Sequence, residues 1–250
     1  MRSLVVVPTY QEADNVVRFL DEVRAAIPEA DLLVVDDNSP DGTADLAEKK
    51  AADLGRVHVL RRPAKNGLGN AYRQGFRWGL DEGYDVILQM DCDFSHDPKV
   101  VPTLIGGLVD GVDCVIGSRY VPGGSTPGWP FHRRALSRWG NRYTGAVLQL
   151  GIRDATGGFR AYRATTLETI DIDGTIANGY AFQSEVARRM SEHHLGIREV
   201  PITFVDREYG TSKMSVRIMA ESMALVTSWG VKARLAARRD RRGSSTRSPA

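Results

Sequence analysis

Two aspartates flank one cysteine, Asp91-Cys92-Asp93, directly after the apolar run Val86-Ile87-Leu88-Gln89-Met90. Side chains alternate along an extended backbone, so Asp91 and Asp93 project to one side. Two hard oxygen donors on one side suit Mg²⁺ or Mn²⁺, ions that keep waters and complete their shell with phosphate oxygens. The chemistry on offer is the handling of a diphosphate, as in a nucleotide. The plainer alternative is a polar turn that starts the next helix. Asp97-Pro98 already supplies that start, with Asp at the cap and Pro in the first turn. An isolated pair of this kind is common, and its meaning depends on what else reaches it.

The elements that must position the pair show as apolar runs and helical periodicities. Strands are expected at 4–7, 32–35, 57–60, 86–90 and 114–117, with helices at 12–27, 41–54, 69–80 and 100–109 between them. Near-continuous apolar strands alternating with helices indicate an α/β fold, a largely parallel sheet covered on both faces. Ligands of such sheets bind beyond the carboxyl ends of the strands. Four polar clusters fall there: Pro8-Thr9-Tyr10-Gln11-Glu12, Asp36-Asp37-Asn38-Ser39, Asp91-Cys92-Asp93 and Ser118-Arg119. They imply one composite site. Asp41-Gly42-Thr43 reads as a helix cap. Gly67-Leu68-Gly69-Asn70 lacks the third glycine of a dinucleotide fingerprint and reads as a tight turn beside the site.

The second half is less regular. Residues 120–134 form a Gly/Pro-rich loop of the kind used as a lid or binding loop. A helix over 135–150, a glycine-opened strand over 156–163, a helix over 182–193 and a strand over 197–205 broken at Pro201 follow. A long helix spans 214–239, and the tail after Arg241 reads as disordered. This predicts one domain over 1–230 and a basic, partly disordered extension over 231–250.

At 42% hydrophobic and 26% charged residues, the balance is that of an ordinary soluble globular chain. From Lys232 onward there are seven basic residues and one acid, a net +6, so residues 1–231 carry −4 of the chain's total of +2. The body is mildly acidic, so the charge does not point to whole-domain nucleic-acid binding. No window reaches the roughly 20 apolar residues of a membrane span. Cys92 and Cys114 lack metal-ligand spacing and follow no secretory pattern, so reduced structural thiols in the cytoplasm are expected. Histidines 96, 132, 193 and 194 show no ligand spacing either.

The strand-end clusters have a collective resemblance. Val7-Pro8-Thr9-Tyr10-Gln11-Glu12, the run from Val35 to Thr43, and Met90-Asp91-Cys92-Asp93 resemble the GT-A glycosyltransferases of family 2. Gly117-Ser118-Arg119-Tyr120, Thr156-Gly157-Gly158-Phe159-Arg160 and the run from Val205 to Lys213 narrow the likeness to the polyprenol (dolichol) monophosphate mannose synthases. That resemblance runs from residue 3 to 230. It implies a Rossmann-like GT-A domain that transfers mannose, with inversion, from GDP-mannose to a polyprenyl phosphate. It also implies a need for Mg²⁺ or Mn²⁺. The alternative on the same fold is a polyprenyl-phosphate glycosyltransferase that uses UDP-glucose or another sugar nucleotide. The acid pair argues against a non-catalytic scaffold.

By the same resemblance, Asp91, Asp93 and Ser95 are the metal ligands, Ser95 standing where the family often has a stronger donor. Donor-binding residues are Pro8, Tyr10, Glu12, Val35, Asp37, Asp91, Cys92, Asp93, Arg119, Arg207 and Lys213. Arg119 and Arg133, with Arg134 a near-equal candidate for the second place, hold the acceptor phosphate. Asp93, Arg119 and Arg207 carry catalysis. Gln183 and Glu185 shape the acceptor site. Two phosphate-bearing substrates need fixed positive charge where they meet. An acceptor phosphate is ionised at neutral pH and needs no side-chain base. A lipid acceptor requires contact with a bilayer, by the helix over 214–235 and its basic end or through a membrane-anchoring partner. The expected location is the cytoplasmic face of a membrane, held peripherally.

Overall fold

The structure, a computed structural model, describes residues 1–179, 181–207 and 216–245, with side chains in the last helix described for 219–235. Lys213 lies outside the described residues. The strands are β1 (Ser3–Thr9), β2 (Asp31–Asp36), β3 (Val57–Arg61), β4 (Val86–Gln89), β5 (Cys114–Ser118), β6 (Arg160–Arg163) and β7 (Ile197–Pro201). They form one sheet in the order β3-β2-β1-β4-β6-β5-β7. The first four strands are parallel, β6 runs antiparallel between β4 and β5, and β7 is parallel to β5. The strand order reverses between β1 and β4, which opens a crevice beyond their carboxyl ends.

The inner parallel strands β1, β2, β4 and β5 are buried on both faces, which is why each reads as an apolar run, while the edge strands β3 and β7 are partly exposed. In β1, Val5 and Val7 join one core layer with Val16, Phe19 and Leu20 of α1 (Ala13–Ala26). Leu4 and Val6 join the other layer with Tyr72 and Phe76 of α3 (Leu68–Asp81). Gly75 lets α3 press onto the sheet, because a Cβ there would lie 2.3 Å from Val6 Cγ1.

α2 (Thr43–Leu54) is stopped at Gly55, as its sequence predicts. The Asp41 carboxylate accepts hydrogen bonds from Thr43 N and Ala13 N, so the expected cap also ties α2 to the start of α1. Asp97 caps a single 3₁₀ turn through Lys99 N, and α4 (Val101–Gly106) is shorter than expected because Gly106-Gly107 ends it. α5 (Phe131–Leu148) starts four residues earlier than expected, directly after Pro130, so Arg133 and Arg134 lie in a helical first turn and not in a loop. Residues 156–159 are not strand. α6 (Ala164–Thr169) and a 3₁₀ turn at Ile172–Gly174 had no clear sequence signal.

α7 (Ala181–Glu192) and α8 (Val216–Ser245) complete the molecule. α8 runs unbroken through residue 231 to Ser245, and the rest of the tail expected to be disordered, 246–250, lies outside the described residues. α8 packs on α5 and α7. Val226 and Trp229 are buried there, with Arg188 lying 5.4 Å over the Trp229 ring, while Val231 and Leu235 are exposed. None of the described helices is long and apolar enough to cross a membrane.

Candidate active site

A cleft of about 630 Å³ lies beyond the carboxyl ends of β1, β2 and β4. Pro8, Tyr10, Glu12, Asp37 and the Asp91-Cys92-Asp93 run line one side, as the strand-end argument requires. The other side is formed by Ile176–Gly179, Arg207 and three residues of α8, Glu221, Ser222 and Leu225. That α8 walls the cleft has no signal in its residues, since its apolar stripe suits a lipid surface and a protein core equally.

At the floor, the Tyr72 hydroxyl donates to Asp91 Oδ1 at 2.8 Å, and Ser95 N donates to Asp93 Oδ1 at 3.1 Å. Arg207 approaches Asp93 Oδ2 at 3.3 Å. Burial, followed by the Asp93 charge, pushes the Asp91 carboxyl up to about 7, against the Tyr72 hydrogen bond that lowers it. Two crowded carboxylates of this kind fit a divalent cation. Among the described residues no cluster of three His, Cys, Asp or Glu surrounds them, so most of a metal's shell would be left to phosphate oxygens and water. Ser95 is buried, and its amide is committed to Asp93. Burial lifts the Cys92 thiol well above its ordinary value, which makes it inert.

The sign of the Asp91 shift gives a prediction. A carboxyl raised in the fold binds its proton more tightly folded than unfolded. Its contribution to stability is therefore complete below the ordinary carboxylate range and lost as pH rises through about 7. A metal must displace that proton. Mn²⁺ affinity is expected to rise about tenfold per pH unit below about 7 and to level above it. Tyr72→Phe removes a bond that lowers the pKa and should move the break upward. Electron paramagnetic resonance titration of Mn²⁺ across about pH 5.5–8.5 reads both effects. An affinity independent of pH would show that Asp91 is not a ligand.

The nucleotide side is built by a hydrogen-bonded corner. Asp36 Oδ2 accepts from Thr9 Oγ1 at 2.8 Å and Ser39 Oγ at 2.6 Å, locking the ends of β1 and β2 together. Glu12 stands at the N-cap position of α1 without a side-chain cap bond; its main-chain N donates to Thr43 Oγ1 at 3.0 Å and its carboxylate accepts from Asn15 Nδ2 at 2.8 Å. Asp37 pairs with buried Arg62. Lys65, which belongs to no motif in the sequence, stands 3.8 Å over the Tyr10 ring and adds a cation to the cleft wall. Val35 is not on that wall. Its side chain is fully buried in the core layer with Val6, because alternation along β2 turns it away from the strand end.

The arginines separate. Arg207 lines the cleft beside Asp93. Arg119 does not line it. Its guanidinium grips Asp154 through Nε at 2.8 Å and Nη2 at 2.6 Å, and donates to Thr156 Oγ1 at 3.0 Å. Asp154 is completely buried, so the pair is a structural ion pair in this conformation. Arg133 pairs with Asp206 at 2.7 Å and lies 4.0 Å over the Trp129 ring, also away from the cleft. Arg134 sits beside it in the same helical turn.

Glu185 also departs from its expected role. Its buried carboxylate accepts from Ile176 N at 3.0 Å and Ala177 N at 2.8 Å, which holds the Ile176–Gly179 wall in place. Arg73 donates to Ala177 O at 3.0 Å from the other side. Gly67, with φ +86°, admits this segment: a Cβ there would meet Asn178 O at 2.4 Å. His96 packs tilted against Phe159 and edge-on to Phe204 in a structural role.

Sequence comparison gives the same kind of protein repeatedly. Residues 4–171 match the sequence model of glycosyl transferase family 2. The undecaprenyl-phosphate mannosyltransferase of Micrococcus luteus is 49% identical over 97% of this chain and 100% of its own length. The polyprenol monophosphomannose synthase of Mycolicibacterium smegmatis is 46% identical over 94% of this chain and 89% of its own. Among solved structures, glucosyl-3-phosphoglycerate synthase from Mycobacterium tuberculosis, in complex with Mn²⁺, UDP-glucose and phosphoglyceric acid, matches with a TM-score of 0.67. It is 18% identical, with 92% of this chain and 79% of that one covered, a likeness of GT-A fold alone. With a family match over most of its length and relatives sharing nearly half its residues, the chain belongs to glycosyl transferase family 2 and is a sugar-transferring enzyme.

Proposed function

We propose that this enzyme transfers mannose from GDP-mannose to the phosphate of a polyprenyl lipid, with inversion, releasing GDP. The observation that carries the reading is the acid pair at the floor of a nucleotide-sized cleft, beside Arg207, in a chain whose near-full-length relatives are named for mannosyl transfer to polyprenyl phosphate or for making polyprenol monophosphomannose. The guanine and the inversion are finer than those names and rest on the motif resemblance. Asp91 and Asp93 would hold Mg²⁺ or Mn²⁺, which when bound offsets negative charge on the departing diphosphate. Tyr72 and Ser95 N fix the two carboxylates. Arg207 supplies a further fixed positive charge where the diphosphate leaves. Tyr10, Glu12, Asp37 and Lys65 are placed to orient the nucleoside. The acceptor phosphate attacks as an anion, so positioning and charge supply the rate and no general base is needed.

The direct test is incubation of labelled GDP-mannose with polyprenyl phosphate and Mg²⁺ or Mn²⁺. The expected result is an acid-labile mannolipid with β configuration. Turnover of UDP-glucose without turnover of GDP-mannose would replace the donor.

A lipid acceptor brings the enzyme to a bilayer, and we place it peripherally at the cytoplasmic face. The buried free thiols Cys92 and Cys114 suit a reducing compartment. Phe131, Leu136 and Trp139 of α5 are 77%, 49% and 55% exposed, beside Arg138 and Arg142, and α8 adds exposed Val231 and Leu235. An apolar surface rimmed by cations suits anionic lipid. Truncation after Arg234 is expected to weaken sedimentation with anionic vesicles about tenfold while changing turnover on a short soluble prenyl phosphate much less. Unchanged sedimentation would rule the basic end out of membrane contact.

A further inference from the structure

Arg207 reaches Asp93 from a segment, residues 202–207, that follows β7. The main chain of this segment is tied on two sides. Ile202 N donates to Ser118 O at 3.0 Å, and Phe204 N donates to Ser125 O at 3.0 Å. Val205 N donates to Ser95 O at 3.2 Å, beside the acid pair. The next hold is a side chain. Asp206 Oδ1 accepts from the Trp129 indole Nε1 at 3.1 Å and from Arg133 Nη1 at 2.7 Å.

Two donors on one carboxylate oxygen leave Asp206 little choice of place. Trp129 is nearly buried, and a buried indole N–H needs an acceptor. The bond from Arg133 is charge-assisted, the stronger kind. The donors are themselves held, because Arg133 lies 4.0 Å over the Trp129 ring and Phe204 meets that ring edge-on at 5.5 Å. As a stabilising device the ion pair is poor. Its side chains are 41% and 52% exposed, and exposed pairs contribute little to folding. Its effect lies in what comes next along the chain.

Consecutive Cα atoms are a fixed distance apart, so whatever fixes Asp206 fixes the root of Arg207. A long side chain pays rotamer entropy to hold its head in one place, and a fixed root narrows the places it can reach. Trp129 and Arg133 stand outside the cleft, whereas Arg207 lines it 3.3 Å from Asp93 Oδ2. We infer that Asp206 is a positioning residue: held by Trp129 and Arg133 outside the cleft, it sets the place of the Arg207 charge beside Asp93. This deepens the role given to Arg207 above and rests on it. It also ties the first turn of α5, beside exposed Phe131, to a charge inside the cleft.

The test is a double-mutant cycle on the full chain with Asp206→Ala, Arg207→Ala and both together, read in two ways. The first reading is Mn²⁺ affinity without substrate, by electron paramagnetic resonance. A fixed cation beside Asp93 opposes the entry of a second one, so displacing it tightens binding. Each single variant is expected to bind Mn²⁺ about threefold more tightly than the wild type, and the double variant no more tightly than Arg207→Ala. The second reading is turnover of labelled GDP-mannose. Asp206→Ala should lower kcat about tenfold with the KM for the sugar nucleotide within about twofold, and should cost nothing further once Arg207 is gone. Asp206→Asn keeps an acceptor for Trp129 but not the charge for Arg133, so it should fall between the wild type and Asp206→Ala. Melting temperatures should stay within a few degrees. Effects that multiply in the double variant would mean that Asp206 acts by another route, and wild-type behaviour of Asp206→Ala in both readings would mean that it places nothing. Either result overturns the inference. Wild-type turnover in Arg207→Ala would sink the role of Arg207 in transfer alone, because the Mn²⁺ cycle still decides whether Asp206 sets the place of that side chain.

Discussion

Asp93→Asn is expected to lower turnover about a thousandfold or more, roughly 4 kcal/mol of transition-state stabilisation, in a protein that still folds. The amide oxygen of Asn can keep the hydrogen bond from Ser95 N that Asp93 Oδ1 now accepts, so the turn after β4 retains its internal support. The substitution instead removes a negative charge from a pair whose proximity is already costly, and removes the group that Arg207 approaches at 3.3 Å. Loss of rate should therefore be accompanied by loss of Mn²⁺ binding and by a melting temperature within a few degrees of the wild type. Arg207→Ala should fall by about a hundredfold with Mn²⁺ binding retained, which separates fixed positive charge from metal ligation. Activity within tenfold of wild type in Asp93→Asn, with undiminished Mn²⁺ binding, would remove the acid pair from the chemistry and with it the central assignment of this cleft.

The residues of that pair were readable because of how a doubly covered parallel strand is built. Its interior admits only apolar side chains, so the first polar residues after the run mark the carboxyl edge where ligands bind. Pro8, Tyr10, Glu12, Asp37, Asp91 and Asp93 all arise from that one rule, and the structure gathers them around one cleft. Val35 came from the motif resemblance and not from that rule. It sits one residue before Asp36, but alternation carries its side chain into the core. The cations were harder. Arg119 follows β5 as Asp91 follows β4, and nothing local shows that Asp154, 35 residues on, will occupy its guanidinium. Glu185 likewise follows an expected helical pattern, yet its carboxylate is used by the main chain of Ile176 and Ala177. A charged side chain's role depends on which distant group reaches it, and spacing along the chain does not carry that information. The same holds for α8, whose periodicity was plain but whose contact with the cleft depends on where α5 and α7, on which it packs, lie.

Asp154→Ala is the substitution expected to cost the fold most. Asp154 is completely buried and accepts two side-chain hydrogen bonds and one main-chain hydrogen bond from Arg119, while its own N–H is held by Glu199 at 2.9 Å. Removing one member of a buried pair strands the other charge out of water, at about 3–5 kcal/mol, or roughly 10 °C in melting temperature for a chain of this size. Burial alone would raise the Asp154 pKa, but the Arg119 charge and hydrogen bonds outweigh it and hold the carboxyl below its ordinary value. The stability from this pair is therefore present at neutral pH and lost as pH falls through that depressed value, a component of the acid limb that the variant should lack. Replacing both members, Arg119→Met with Asp154→Leu, removes the stranded charge and should recover much of the loss, because paired charges in an interior are often no more stable than apolar residues of similar volume. That recovered protein separates two roles for Arg119. A Michaelis constant for the lipid acceptor raised more than about tenfold would mean that the guanidinium leaves Asp154 to meet the acceptor phosphate, as the motif resemblance implies. An unchanged constant would confine Arg119 to the ion pair and leave Arg207 to supply positive charge at the point of transfer.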